Sequence, residues 1–93
     1  MIDCSHGNSR KNHENQPSVL DDISEQVASG NNGIMGVMIE SNINAGKQSF
    51  TGNGLSDLKY GVSITDACVD WETSVQMLET LAAAVEKRRQ IRA

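Results

Sequence analysis

The run Ile34-Met35-Gly36-Val37-Met38-Ile39 constrains this chain more than any other feature. It is apolar throughout, shows no alternation, and stops at a charge, Glu40. A strand with one wet face alternates apolar and polar residues. An unbroken apolar run fits a strand covered on both faces, as in parallel sheets. Parallel strands need long crossover connections, usually helical, and the flanking sequence supplies them. Pro17 suits the first turn of a helix, where its missing N–H costs nothing. Val19, Ile23 and Val27 recur every four residues with Leu20 beside them, giving one apolar stripe. Asp21, Asp22 and Glu25 sit toward the positive end of the helix dipole. Gly30 is a natural stop before the turn Asn31-Asn32-Gly33.

Upstream, Met1 to Cys4 reads as a short strand and Ser5 to Gln16 as a polar loop. Downstream, Trp71, Val75, Leu78, Leu81, Ala82 and Val85 mark a second amphipathic helix, with Asp70 as its N-cap. Lys87, Arg88, Arg89 and Arg92 crowd its end, as expected of exposed residues that complement the dipole. Met35 and Met38 are expected in buried strand packing. Tyr60 and Trp71 are expected to pack in loop and helix. The predicted order is strand, loop, helix, turn, strand, long loop, helix: two βα units of an α/β fold. Two strands with two helices cannot cover both faces of a parallel sheet, so residues 1–93 read as a single partial domain.

Composition agrees with a thin core. Of 93 residues 38% are apolar and only three are aromatic, Phe50, Tyr60 and Trp71. Eight basic against twelve acidic residues give a net charge of −4. That argues against nucleic acid and against a polybasic membrane anchor. No apolar run is long enough to span a bilayer. Two cysteines, Cys4 and Cys68, make no disulfide framework, and no basic-then-apolar leader precedes them. The expected compartment is the reducing cytoplasm.

The 29-residue stretch Ser41 to Val69 carries Gly46, Gly52, Gly54 and Gly61. Structureless loops beyond ~12–15 residues are uncommon and are either functional or disordered. In parallel α/β folds the strand C-termini share one face, and that face holds the site. His6 lies just past the first strand, Glu40 just past the second, and Asp66 in the loop leaving the same end. One imidazole and two carboxylates make a ligand set suited to a divalent first-row metal. Against this, Glu40 reads equally as a strand-end surface charge and Asp66 as a turn or cap residue. Cys4, His6 and His13 offer a zinc alternative, though Cys-x-His-x6-His is no standard finger. Cys4 fits a small packed side chain better, and His13 a solvated one. Cys68 as a nucleophile lacks a base placed by the sequence. The glycines form no phosphate loop.

The strings Met1-Ile-Asp-Cys-Ser-His-Gly-Asn-Ser9, Gly36-Val-Met-Ile-Glu-Ser-Asn42, Gly46-Lys-Gln-Ser49 and Tyr60-Gly-Val-Ser-Ile-Thr-Asp-Ala-Cys68, followed by Trp71-Glu72, resemble one family closely. It is the type I 3-deoxy-D-arabino-heptulosonate 7-phosphate (DAHP) synthases of microbes, the class regulated by aromatic amino acids. The likeness runs from Met1 to the last helix, with Phe50 to Lys59 outside any motif. It implies a TIM (β/α)8 barrel in which these residues are the last two βα units, His6 ending strand seven and Glu40 strand eight. A barrel needs about 250 residues, so the chain reads as a C-terminal fragment, inactive alone.

The resemblance further implies condensation of phosphoenolpyruvate with erythrose 4-phosphate at a divalent metal, Mn, Fe, Co or Zn. The metal ligands would be His6, Glu40 and Asp66. Asp66 would also bind substrate and, with His6, serve catalysis. A fourth ligand, a Cys on an early barrel loop, and most phosphate-binding Arg and Lys residues would lie upstream; neither Cys4 nor Cys68 matches that Cys. An aromatic feedback inhibitor and a homo-oligomer are implied for the full-length protein. A non-catalytic βα module that keeps the motifs is the competing reading.

Overall fold

The computed structural model describes residues 1–50 and 58–92. Gly52 and Gly54 of the long loop fall outside them, as does the side chain of Arg92. Strand β1 (Ile2–Asp3) is followed by a 3-10 turn at His13–Asn15, helix α1 (Gln16–Ala28), strand β2 (Val37–Met38) and helix α2 (Trp71–Arg92). The strands pair in parallel, Ile2 against Val37 and Asp3 against Met38. The Ile2 N–H donates to the Gly36 carbonyl at 2.9 Å and the Cys4 N–H to the Met38 carbonyl at 2.8 Å. The two βα units are therefore present, with strands shorter than the stretches read as strand, Met1 to Cys4 and Ile34 to Ile39.

Helix α1 forms where its stripe predicts. Leu20, Ile23 and Val27 are buried, and Val19 packs at their edge. Pro17 lies in the first turn. Gly30 ends the helix at φ +104°. Its N–H reaches the Val27 carbonyl at 3.0 Å and the Asn31 N–H reaches Gln26 at 3.1 Å. This paired closure needs a left-handed residue, which glycine adopts without a Cβ clash. Asp70 caps α2 as expected: its carboxylate accepts the Thr73 N–H at 2.8 Å. The Thr73 side-chain hydroxyl, and after it this N–H, hold the carboxyl below its ordinary pKa.

The core gathers Cys4, Leu20, Ile23, Val27, Ile34, Val69, Met77 and Ala84. Strand alternation puts Ile2 and Cys4 on the helix-covered face and Asp3 on the other. Several expectations fail here: that other face, which carries Met38 beside Asp3, has no cover among the described residues, and packing against α1 takes up only one side of α2. Ile34 is buried, but Met35 is 87% exposed and Met38 only half-buried. Tyr60 and Trp71 are exposed rather than packed. On α2 the buried positions are Met77 and Ala84, with Leu81 and Val85 partly covered, while Val75, Leu78 and Ala82 face outward.

Nor is the basic end of α2 only solvated. Arg88 donates to the Asn31 carbonyl at 3.0 Å and the Ile34 carbonyl at 2.9 Å. It thus pins the turn between α1 and β2. No helix among the described residues is long and apolar enough to cross a membrane.

Candidate metal centre

The site begins with how β1 ends. Asp3 points away from the core, and its two carboxylate oxygens are both engaged. One accepts the Ser5 N–H at 2.7 Å, the other meets the His6 ring at Nδ1, 2.8 Å away. His6 sits at φ +50°, an uncommon conformation for a side chain of this size. Its carbonyl accepts the Lys11 N–H at 2.8 Å and the Ser9 hydroxyl at 3.1 Å, which fix the turn. The hydrogen bond to Asp3, with Glu40 close by, raises the imidazole pKa; the same bond and that from Ser5 lower the pKa of Asp3. With Nδ1 engaged by a carboxylate, Nε2 is the ring atom presented outward, the arrangement found behind metal-bound histidines.

Glu40 follows β2 and is held by its backbone. Gln16, fully buried in the first turn of α1, reaches across and accepts the Glu40 N–H at 3.0 Å while donating to its carbonyl at 3.0 Å. The same carbonyl accepts the Val69 N–H at 3.0 Å. The Ser5 hydroxyl donates to the Glu40 carboxylate.

The long segment that follows is stapled, and the staples bring Asp66 back. Ser41 pairs with Val69 and Gly46 with Cys68. The Gly46 and Cys68 amides exchange hydrogen bonds at 2.9 and 3.1 Å. Gln48 reaches the Lys59 and Val62 carbonyls, both at 2.9 Å, and accepts the Lys59 N–H at 2.9 Å. Gly61 is required: at φ +72°, a Cβ there would lie 2.8 Å from the Ile43 Cβ.

His6 Nε2 ends 3.5 Å from Glu40 Oε1 and 3.2 Å from Asp66 Oδ2. All three ligand atoms lie within 4.8 Å of one another. Ligands about 2.1 Å from a first-row cation stand roughly 3–3.5 Å apart, and one imidazole with two carboxylates suits such an ion. The donor set fits a divalent metal. Among the described residues this is the group of His, Cys, Asp and Glu that converges so; the alternative of Cys4, His6 and His13 does not. Cys4 is buried with its thiol pKa raised by desolvation, as a packed side chain should be. His13 is half-buried in the 3-10 turn rather than fully solvated. The three ligands line a cleft of about 370 Å³ with Ser5, Lys11, Lys47 and Ala67. Asp3 and Gln16 were not foreseen: Asp3 lies within the short strand read at Met1 to Cys4, and Gln16 in a stretch read as loop.

Residues 1–79 match the model of the DAHP synthetase I family. The chain belongs to that family. It is 57% identical over 94 residues to the tyrosine-inhibited phospho-2-dehydro-3-deoxyheptonate aldolase of Candida albicans, covering 99% of this chain and 25% of that protein. It is 48% identical over 81 residues to the Tyr-sensitive phospho-2-dehydro-3-deoxyheptonate aldolase of Escherichia coli, covering 87% and 22%. Among solved structures it is similar to the phospho-2-dehydro-3-deoxyheptonate aldolase of Francisella tularensis, with a TM-score of 0.84 and 56% identity. That match covers 94% of this chain and 25% of the other. The chain thus spans about a quarter of the length of the relatives it matches.

Proposed function

We propose that the protein carrying these residues condenses phosphoenolpyruvate with erythrose 4-phosphate to give DAHP and phosphate. The supporting observation is the convergence of His6, Glu40 and Asp66 in one cleft beyond the strand ends. On this reading residues 1–93 are the last two βα units of a (β/α)8 barrel in a cytoplasmic enzyme, responsive to an aromatic amino acid and assembled as a homo-oligomer.

His6, Glu40 and Asp66 would hold a divalent Mn, Fe, Co or Zn ion, completed by a Cys from elsewhere in the barrel. Such an ion, when bound, supplies Lewis acidity toward a carbonyl oxygen. The chain's own residues do the rest of the local work. Asp3 keeps the His6 ring turned so that Nε2 faces the cleft. Gln16 and Ser5 fix Glu40 from its backbone and from its carboxylate. Asp66, the more exposed carboxylate at 60% against 20% for Glu40, keeps an oxygen toward solvent and binds the aldose. In the reaction, C3 of phosphoenolpyruvate forms a bond to the aldehyde carbon and the aldehyde oxygen takes a proton. Water then adds at C2, and phosphate leaves with its bridging oxygen. His6 is a ligand first and assists proton transfer second.

The test is a chimera in which residues 1–93 replace the matching quarter of the Francisella tularensis aldolase. It should release phosphate from the two substrates together, and His6→Ala or Glu40→Gln should abolish this and weaken Mn²⁺ binding. A folded chimera that binds Mn²⁺ but gives no turnover would favour the non-catalytic module instead.

A further inference from the structure

Two cations share the cleft with the three ligands and have no part so far. Lys11 and Lys47 both line it. Neither has a carboxylate within 4.0 Å among the described residues, where every ion pair centres on His6. Both backbones are tied to the site. Lys11 donates its N–H to the carbonyl of His6. Lys47 follows Gly46, which is bonded twice to Cys68, and pairs with Ser63, so its position is set by the strand-like segment that carries Asp66. Two lysines with no ion-pair partner among the described residues thus line one opening, Lys11 from the loop after β1 and Lys47 from the loop after β2.

The charge balance says what they suit. Glu40 and Asp66 carry two negative charges, which a divalent cation offsets. Lys11 and Lys47 then leave the cleft positive on a chain whose net charge is −4. A local positive opening on an acidic surface concentrates and steers small anions.

We propose that Lys11 and Lys47 form the rim that captures the phosphate-bearing substrate at the mouth of this cleft. This rests on the synthase reading above and adds to it two binding residues whose action is on capture. Both substrates carry a phosphate monoester, so the shared chemistry is that group.

The experiment uses the intact protein that carries residues 1–93, as wild type, Lys11→Gln, Lys47→Gln and the two Lys→Arg variants. Turnover is measured against each substrate in turn over a series of KCl concentrations, and inhibition by inorganic phosphate is measured alongside. Each Gln variant should lower kcat/KM roughly tenfold, mostly through KM, and flatten its salt dependence. The inhibition constant for phosphate should rise by a similar factor, and the Arg variants should recover most of the loss. The substrate whose KM moves identifies which phosphate is captured. Unchanged kcat/KM and salt slope in both Gln variants would overturn the proposal. If wild type with Mn²⁺ shows no turnover at all, the synthase reading fails instead. A phosphate titration followed by NMR at Lys11 and Lys47 then decides the rim: shifts at both retain it, and none removes it.

Discussion

Gln16 shows how a site can depend on a side chain with no chemistry of its own. It is fully buried, and both ends of its amide are spent on the Glu40 backbone. It acts as one more rung beside β2, placing the residue that must project into the cleft. Replacing it with Leu keeps the volume but strands the Glu40 N–H, a part-buried donor whose partner is gone. Gln16→Leu should therefore lower the unfolding free energy by about 1–3 kcal/mol, read from urea titration, and weaken Mn²⁺ binding. Gln16→Leu with wild-type stability would show that water or a neighbour replaces the amide. His6, Glu40 and Asp66 were legible because strand ends share a face and because the motifs around them are distinctive. Gln16 and Asp3 were not, for a physical reason. Their partners are backbone amides and a ring nitrogen brought near by the fold, and spacing along the chain does not encode those. Of the two lysines, the sequence gives the charge but not the fact that both face one opening.

Helices were the most readable elements. The stripe of α1 and its glycine stop were visible as written, and Asp70 announced the start of α2. The buried side of α2 was read only in part: Leu81 and Val85 pack against the core as expected, but Met77 and Ala84 were missed because the helix is apolar on two adjoining sides. Met77, Leu81, Ala84 and Val85 face the core, while Trp71, Val75, Leu78 and Ala82 line an adjoining, exposed stripe. The sequence pattern alone ranks the bulkier stripe first; packing against α1 selects the other. The cap itself makes a pH prediction. Hydrogen bonds from Thr73 lower the Asp70 pKa in the folded state below the ordinary aspartate value of 3.8. The carboxylate form is the one that folding favours. Its contribution is complete above that unfolded value and is lost as pH falls through the lower, folded one. Between pH 5 and pH 2, Asp70→Asn, which still caps, should lose Tm less steeply than wild type. Asp70→Ala should be less stable at neutral pH and share that shallower slope. Equal acid slopes for wild type and Asp70→Asn, measured by circular dichroism, would assign the acid sensitivity to other groups.

The chain as a whole is drawn out, and it spans about a quarter of the length of the relatives it matches. The Cα radius of gyration is 15.7 Å and the extents are 57 × 22 × 17 Å, against roughly 12 Å for a compact chain of this length. Among the described residues the sheet has two strands, so each keeps an open edge of unpaired N–H and C=O groups that templates association. We expect the isolated chain to be marginally stable or self-associating. Analytical ultracentrifugation with thermal unfolding at micromolar concentration checks this. A monodisperse monomer melting sharply above about 60 °C, high for mesophile domains, would make the two βα units self-sufficient. The isolated chain should also show no turnover with both substrates and Mn²⁺, since positioning and charge stabilisation supply much of such a rate and the chain spans a quarter of its relatives.

Trp71 gives that open surface an optical signature. It is the sole tryptophan of the chain and stands 69% exposed at the start of α2, on the stripe that nothing described covers. Its emission in the isolated chain should be red-shifted and readily quenched by iodide or acrylamide. Whatever seats against that stripe will shift the emission to the blue and shield the indole, so one intrinsic fluorophore reports when these two units are built into a larger body.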